Sequence, residues 1–242
     1  MSDNGTSLDR PLAGRNILVT GGTSPIGSAI VRRLRAAGAF VVVHVHRGRP
    51  DDAATVQADL SAPDGAAQLF QNALALVPSI DGIVNNAAVF RPDDAPAAEQ
   101  RQMRQLNLEA PLQLLEALAT QPRRPACCAA IHLLDARIAA QTAWPNYSAY
   151  LATKRDLAAT VACDAAHLAS AGIRIVGIAP GPVTLPAGIH VPAGPLPLAG
   201  VPRPTPDDVA DAVAWALGAR QLTGQILYVD AGQHLAIQEN HA

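Results

Sequence analysis

The chain has 242 residues, 49% of them hydrophobic and only 3% aromatic, and its 18 basic and 20 acidic side chains leave a net charge of −2. Such a length supports a full hydrophobic core, and such an apolar content excludes a disordered chain. A charge this close to balance gives no electrostatic reason to expect nucleic acid or an anionic membrane as partner.

Residues 1–10 are polar and lack the apolar stretch of a signal peptide, and no run reaches the length that spans a bilayer, so a cytoplasmic protein is expected. Residues 1–13 read as a flexible arm and 14–242 as one domain. The apolar run 16–20 reads as a buried strand, followed by GGTSPIG at 21–27 and then by Ile30, Val31 and Leu34 at helical spacing. A strand, a glycine-rich turn and a helix in that order bend the backbone tightly and leave helix N-terminal N–H groups for a phosphate. Gly21, Thr23, Ser24, Pro25, Ile26 and Gly27 are therefore candidate dinucleotide contacts. Gly38 ends this helix and residues 39–45 form a second strand. Beyond it come His46, Arg47, Gly48 and Arg49, with no acid before Asp51. In a dinucleotide fold an acid here suits NAD, whereas an arginine accommodates the extra phosphate of NADP. His46 and Arg47 thus point to NADPH, the alternative being an ordinary basic turn.

Residues 54–58 form a short third strand closed by Asp59 and Leu60, and a helix over 63–76 follows. Residues 81–88 are a fourth strand running into small residues at Asn86 and Ala87, where a flat ligand can approach the backbone. One helix is expected over 97–119. It carries Asn107 between Leu106 and Leu108, a polar group on a leucine-rich face that needs hydrogen-bond partners, and structural satisfaction is its default reading. The fifth strand, 125–134, includes Cys127 and Cys128; with Cys163 these have the spacing of neither a disulfide framework nor a zinc site, and no metal is expected. That strand delivers Asp135 to its carboxyl end, where ligands of open α/β sheets bind.

A long helix is expected from Pro145 to Ser170. Tyr150 and Lys154, four apart, share one of its faces, and an ammonium beside a phenol lowers the phenol's pKa towards that of a working general acid. Alone, the pair reads first as a surface contact. A sixth strand at 173–179 leads to Pro180, Gly181 and Val183, a Pro- and Gly-rich segment at 185–205 reads as a substrate flap, and a helix at 206–219 precedes a last strand at 225–229. Strands alternating with helices call for a Rossmann-type α/β fold: a doubly wound parallel sheet of seven strands, helices on both faces, in a single domain.

Thr20, Gly21 and Gly27, Asp59, Asn85 to Ala87, Asn107, Tyr150 with Lys154, and Pro180 with Gly181 occur in the order and context of the short-chain dehydrogenase/reductase family, which the chain resembles from Gly14 to Gly232. The resemblance implies NADPH or NADP held by the glycine-rich turn, His46, Arg47, Asp59 near the adenine, Leu60, Asn86, Ala87, Pro180, Gly181 and Val183. It implies Tyr150 as proton donor, Lys154 on the nicotinamide ribose, Asn107 holding a water in a proton relay, and a homotetramer. Four positions depart from the family pattern: Pro25 for the middle glycine, Ala88 for a glycine, Val176 for a frequent asparagine, and Asp135 where the catalytic serine belongs. Asp135 precedes Tyr150 by 15 residues, longer than the family's usual serine-to-tyrosine interval.

These departures resemble the pteridine reductase branch, as do His44, His46 and Arg47 after the second strand, QADLS at 57–61, and Phe90 four residues past Asn86. In that branch the phenylalanine stacks a pterin against the nicotinamide. An ionised Asp135 would accept from the N–H groups of such a heterocycle and oppose phenolate formation at Tyr150. Against the branch stands Pro25, where its members have an arginine. The leading expectation is an NADPH-dependent enzyme transferring hydride to a C=N bond of a dihydropterin or dihydrofolate, with Phe90, Asp135 and Tyr150 on the substrate. The alternative is an NADPH-dependent ketone or imine reductase of a specialised biosynthetic pathway. A catalytically silent NADPH-binding regulator is a third reading, disfavoured because Tyr150 and Lys154 are both present. In every case the partner is a small molecule.

Overall fold

The computed structural model describes residues 10–48, 54–140, 144–183 and 201–235; the arm ahead of residue 10, Arg49, Asp51 and positions 185–200 of the expected flap lie outside the described residues. Seven strands form one parallel sheet in the order β3-β2-β1-β4-β5-β6-β7. They are β1 (Asn16–Val19), β2 (Phe40–Val45), β3 (Thr55–Gln57), β4 (Gly82–Asn85), β5 (Cys128–Leu133), β6 (Ile173–Pro180) and β7 (Gln225–Val229). The winding reverses at β1, which has β2 on one side and β4 on the other, so the crevice beyond their carboxyl ends is the ligand position of a doubly wound sheet.

The strands are apolar throughout because both faces are covered. On one face α1 (Pro25–Ala36) and α6 (Pro206–Gly218) set Ile30, Leu34, Val213 and Leu217 against Ile17, Val41 and Ile131. On the other, α2 (Gly65–Leu74), α4 (Ala110–Thr120) and α5 (Ser148–Leu168) set Leu69, Leu114, Leu118 and Val161 against Leu18, Ile83 and Ile175. Each such side chain contributes about 1.5–3 kcal/mol on leaving water. Leu12, assigned by sequence to the flexible arm, is fully buried in the first of these cores and its N–H donates to Ala37 O at 3.1 Å.

Two elements differ from expectation, and both bear on the site. The single helix over 97–119 is α3 (Ala97–Arg104), then one turn of π-helix at Gln105–Glu109, then α4. A π turn accommodates one extra residue and re-aims the side chains it carries, which sequence periodicity does not reveal. Asn107 lies in this turn: its Oδ1 accepts from Val89 N–H at 2.9 Å, and its Nδ2 donates to Val89 O at 2.9 Å and Thr153 Oγ1 at 3.3 Å.

Helix α5 begins at Ser148, not Pro145, because Asn146 adopts a left-handed φ of 66°. Its cap comes from far along the chain. Asp93 accepts from Ser148 N–H at 3.0 Å, Ser148 Oγ at 2.6 Å and Ala149 N–H at 2.9 Å, and its own N–H donates to Asn146 O at 2.8 Å. The loop after β4 is thus tied at Val89 and again at Asp93, with Phe90 between. Asp93→Ala should therefore lower stability by about 1 kcal/mol, the usual worth of a helix cap. Urea denaturation reads it, and an unmoved midpoint would show that the cap contributes nothing.

Candidate active site

At the end of β1 the backbone turns through Gly21, whose φ of +62° is left-handed, and α1 starts with Ser24 as cap and Pro25 in its first turn. Ser24 takes up the N–H groups of Gly27, through Oγ at 3.0 Å, and Ser28, through its carbonyl at 2.8 Å. Pro25 has no N–H, but its fixed φ suits the first turn of a helix. Gly27 is needed for the close approach of helix and turn: a Cβ there would lie 2.1 Å from Gly21 O and 2.8 Å from Asn86 Nδ2. The turn is fastened from two sides. Asn86 Nδ2 donates to Thr20 O at 2.9 Å and Gly21 O at 3.0 Å, while the N–H groups of Asn86 and Ala87 both donate to Thr20 Oγ1 at 2.9 Å.

From the other side His44 Nδ1 accepts from Gly21 N–H at 3.1 Å, which leaves its Nε2–H to donate to Ala58 O at 3.1 Å. Burial lowers the pKa of His44, and that neutral tautomer is the one the turn requires. His44 entered the sequence reading only as part of a branch signature; its work is to hold the glycine-rich turn. At the end of β2, His46 and Arg47 are exposed, and His46 Nε2 lies 3.6 Å from Asp59 Oδ1. The side chain and backbone N–H of Ser61 bond the Asp59 carboxyl and hold it below its ordinary range, and Leu60 beside it is buried. Pro180, at the end of β6, leads to Gly181, whose N–H donates to Val229 O at 2.9 Å, and to Val183, which packs on the core.

Beyond β5 the structure brings the three expected chemical groups together. Tyr150 O–H donates to Asp135 Oδ2 at 3.1 Å, while Asp135 Oδ1 accepts from Arg137 N–H at 2.8 Å and so caps a short 3₁₀ turn, Ala136–Ala139. Lys154, 4% exposed, donates from Nζ to Leu133 O at 2.8 Å. The lowering of Tyr150 expected from its Tyr–Lys pair is not found. Burial and the Asp135 carboxylate push the phenol well above its ordinary pKa. Burial also pushes Asp135 up, against the pull of the Arg137 N–H and Lys154, and brings Lys154 down to about 8. Of the three, the phenol is the group held most firmly in its protonated form.

Asn107 is close by, bonded to Thr153 on the same helix as Tyr150 and Lys154. Both ends of its side-chain amide are occupied, by Val89 and Thr153, so the side chain positions the Phe90 loop. Phe90 stacks on Tyr147 with centroids 4.3 Å apart and meets Tyr150 edge-on at 4.6 Å. Trp144 lies 5.4 Å from Phe90 and 6.3 Å from Tyr150. Of the chain's three Phe, two Trp and three Tyr, four therefore form one cluster that includes the Tyr150 ring. The roles of Trp144 and Tyr147 were missed by sequence reasoning, although aromatics at 144, 147 and 150 in so aromatic-poor a chain were a visible signal. Among the described residues no cluster of His, Cys, Asp or Glu could hold a metal ion, and no helix is long and apolar enough to cross a membrane.

A family model described as enoyl-(acyl carrier protein) reductase matches residues 21–234. The chain is 30% identical over 261 residues to 3beta-hydroxysteroid dehydrogenase 1 of Eggerthella lenta, covering 93% of this chain and 95% of that protein. It is similar to the crystal structure of the angucycline C-6 ketoreductase LanV with bound NADP, at 27% identity and a TM-score of 0.80, covering 93% of this chain and 97% of that one. Pteridine reductase 1 of Leishmania tarentolae is 27% identical over 292 residues, covering 95% and 98%. The chain belongs to the short-chain dehydrogenase/reductase family of oxidoreductases. The similarity to pteridine reductase is one distant similarity beside others and does not place the chain in that branch.

Behind Lys154 lies a second buried group. His132 is fully buried in β5, its Nδ1 3.1 Å from Asn85 Nδ2, while His132 Nε2 and Asn85 Oδ1 have no partner. Burial, helped by the Lys154 charge, lowers its pKa to about 4. A histidine depressed on folding stabilises the fold above its unfolded pKa, about 6.5, and that contribution is lost as pH falls towards the folded value. Wild type should therefore lose on the order of 3 kcal/mol between pH 7 and pH 4 that a His132→Asn variant does not lose, since each pKa unit is worth about 1.4 kcal/mol. Parallel denaturation midpoints for the two proteins across that range would count against a neutral buried His132.

Proposed function

We propose that this chain is an NADPH-dependent carbonyl reductase acting on an aromatic ketone, with Tyr150 as proton donor. The observation that carries the reading is a phenol kept protonated by burial and by Asp135 inside an aromatic wall made by Phe90, Trp144 and Tyr147. The glycine-rich turn fits a dinucleotide phosphate, because Gly27 lets α1 start tight against the turn and the start of α1 faces the carboxyl edge of the sheet. Arg47, exposed at the end of β2, fits the additional phosphate of NADP, which agrees with the bound NADP of LanV.

NADPH, when bound, supplies the hydride that reaches the carbonyl carbon. Tyr150 gives its hydroxyl proton to the carbonyl oxygen, so ketone becomes alcohol, and Asp135, 3.1 Å away, is placed to return a proton to the phenol. Lys154, fixed by Leu133 O, keeps positive charge behind the phenol as negative charge develops there. Because burial raises the Asp135 pKa, this residue in its acid form can donate a hydrogen bond as the family's serine hydroxyl does.

One observation favours a second reading, the reduction of a pteridine C=N bond. Asp135 as carboxylate accepts from N–H groups, and Phe90 is edge-on to Tyr150 where a flat heterocycle could lie. NADPH oxidation with an aromatic ketone panel and with dihydrobiopterin separates the two. Ketone turnover that survives Asp135→Ser supports the carbonyl reading, whereas dihydrobiopterin turnover lost in that variant supports the other. In either case Tyr150→Phe should cut turnover by about a hundredfold or more with NADPH binding retained; unimpaired turnover would remove Tyr150 from the chemistry. Arg47→Ala should weaken NADPH far more than NADH, and equal losses would take Arg47 off the phosphate.

A further inference from the structure

Arg137 stands two residues past Asp135, in the short turn that Asp135 caps. Its backbone N–H is taken by Asp135 Oδ1 at 2.8 Å. Its guanidinium lies 4.2 Å from the centre of the Trp144 ring, stacked on the outer member of the aromatic wall around Tyr150. It is half-buried, yet among the described residues its guanidinium makes no hydrogen bond and no ion pair. Five N–H donors in a rigid planar fork, partly removed from water and held on an aromatic face, form an incomplete recognition element. The ring contact fixes the cation in place without using its hydrogen-bonding edge.

We propose that Arg137 is a specificity-determining residue that binds an anionic substituent, a carboxylate or an ionised phenol, on the flat aromatic ketone reduced at Tyr150. The inference rests on the carbonyl reductase reading and deepens it. A planar substrate against Phe90 and Trp144 brings its rim to the guanidinium while its carbonyl meets the Tyr150 hydroxyl, so one end of the molecule is fixed by charge and the other by the proton donor. Such two-point attachment sets which face of the ketone meets the hydride.

The test uses a matched pair of substrates, a tetralone carboxylate and its methyl ester, with wild type, Arg137→Met and Arg137→Lys. Wild type is expected to prefer the carboxylate in kcat/KM. Arg137→Met should reduce the acid-to-ester ratio by about tenfold or more, chiefly through KM, with Arg137→Lys falling between because an ammonium restores charge but not the bidentate fork. An acid-to-ester ratio unchanged in Arg137→Met overturns the proposal. Quenching of Trp144 fluorescence in the NADP-loaded protein gives the same ratio for binding, independently of turnover. If wild type reduces neither ketone, the carbonyl reductase reading fails, and the binding ratio alone upholds or overturns the role of Arg137.

Discussion

The contact on which the site depends is the hydrogen bond from Tyr150 O–H to Asp135 Oδ2, made where water is largely excluded. In water an ammonium four residues along a helix would stabilise the phenolate. Here Lys154 is turned to Leu133 O, and burial together with a carboxylate at hydrogen-bond distance acts in the opposite direction on the phenol. The same burial brings Lys154 down to about 8 and moves Asp135 up, so each of the three groups is shifted towards its neutral form. Their titration belongs to the cluster, and a pH–rate profile would report it as such.

This chemistry needs its partners fixed in place, and the sheet provides only part of that. Parallel strands carry Thr20, Asn86, Asp135 and Pro180 to one edge, which sets position to within a strand spacing. The finer placement comes from side-chain tethers across the loops. Asn107 holds Val89, Asp93 holds the start of α5, and Asp135 closes its own turn on Arg137 N–H. Phe90, between the first two tethers, is therefore set against Tyr147 and Tyr150 with little freedom left to lose when a ligand arrives. His44 does the same for the cofactor end by bonding Gly21 on one side and Ala58 on the other.

The parts of this architecture set by local chemistry were legible in the sequence. Apolar strands, the turn from Gly21 to Gly27, and the order of strands and helices follow from periodicity and backbone freedom within a few residues. The parts that were not legible depend on partners far apart in the chain. The amide of Asn107 in the π turn is bonded to Val89, 18 residues earlier, and the start of α5 at Ser148 is capped by Asp93, 55 residues back. Arg137 is unremarkable in the sequence and acquires meaning only from the 4.2 Å between its guanidinium and the Trp144 ring. Electrostatic sign was legible only in part: Asp135 pointed to a raised phenol, but Tyr150 and Lys154 suggest a lowered one until the burial of both is known.

The replacement of a serine by Asp135 need not confine the site to one kind of double bond. A carboxyl group already raised by burial lies closer to the point where its two forms have equal free energy, and each pKa unit is worth only about 1.4 kcal/mol. A bound substrate that displaces the remaining water shifts that balance further. A ring N–H facing Asp135 stabilises the carboxylate, whereas a carbonyl oxygen stabilises the acid, which then donates as a hydroxyl would. On this reading the substrate selects the protonation state of Asp135. On the same reading, what restricts the substrate would lie outside the Tyr150–Asp135 pair, in the aromatic wall and the Arg137 cation above Trp144.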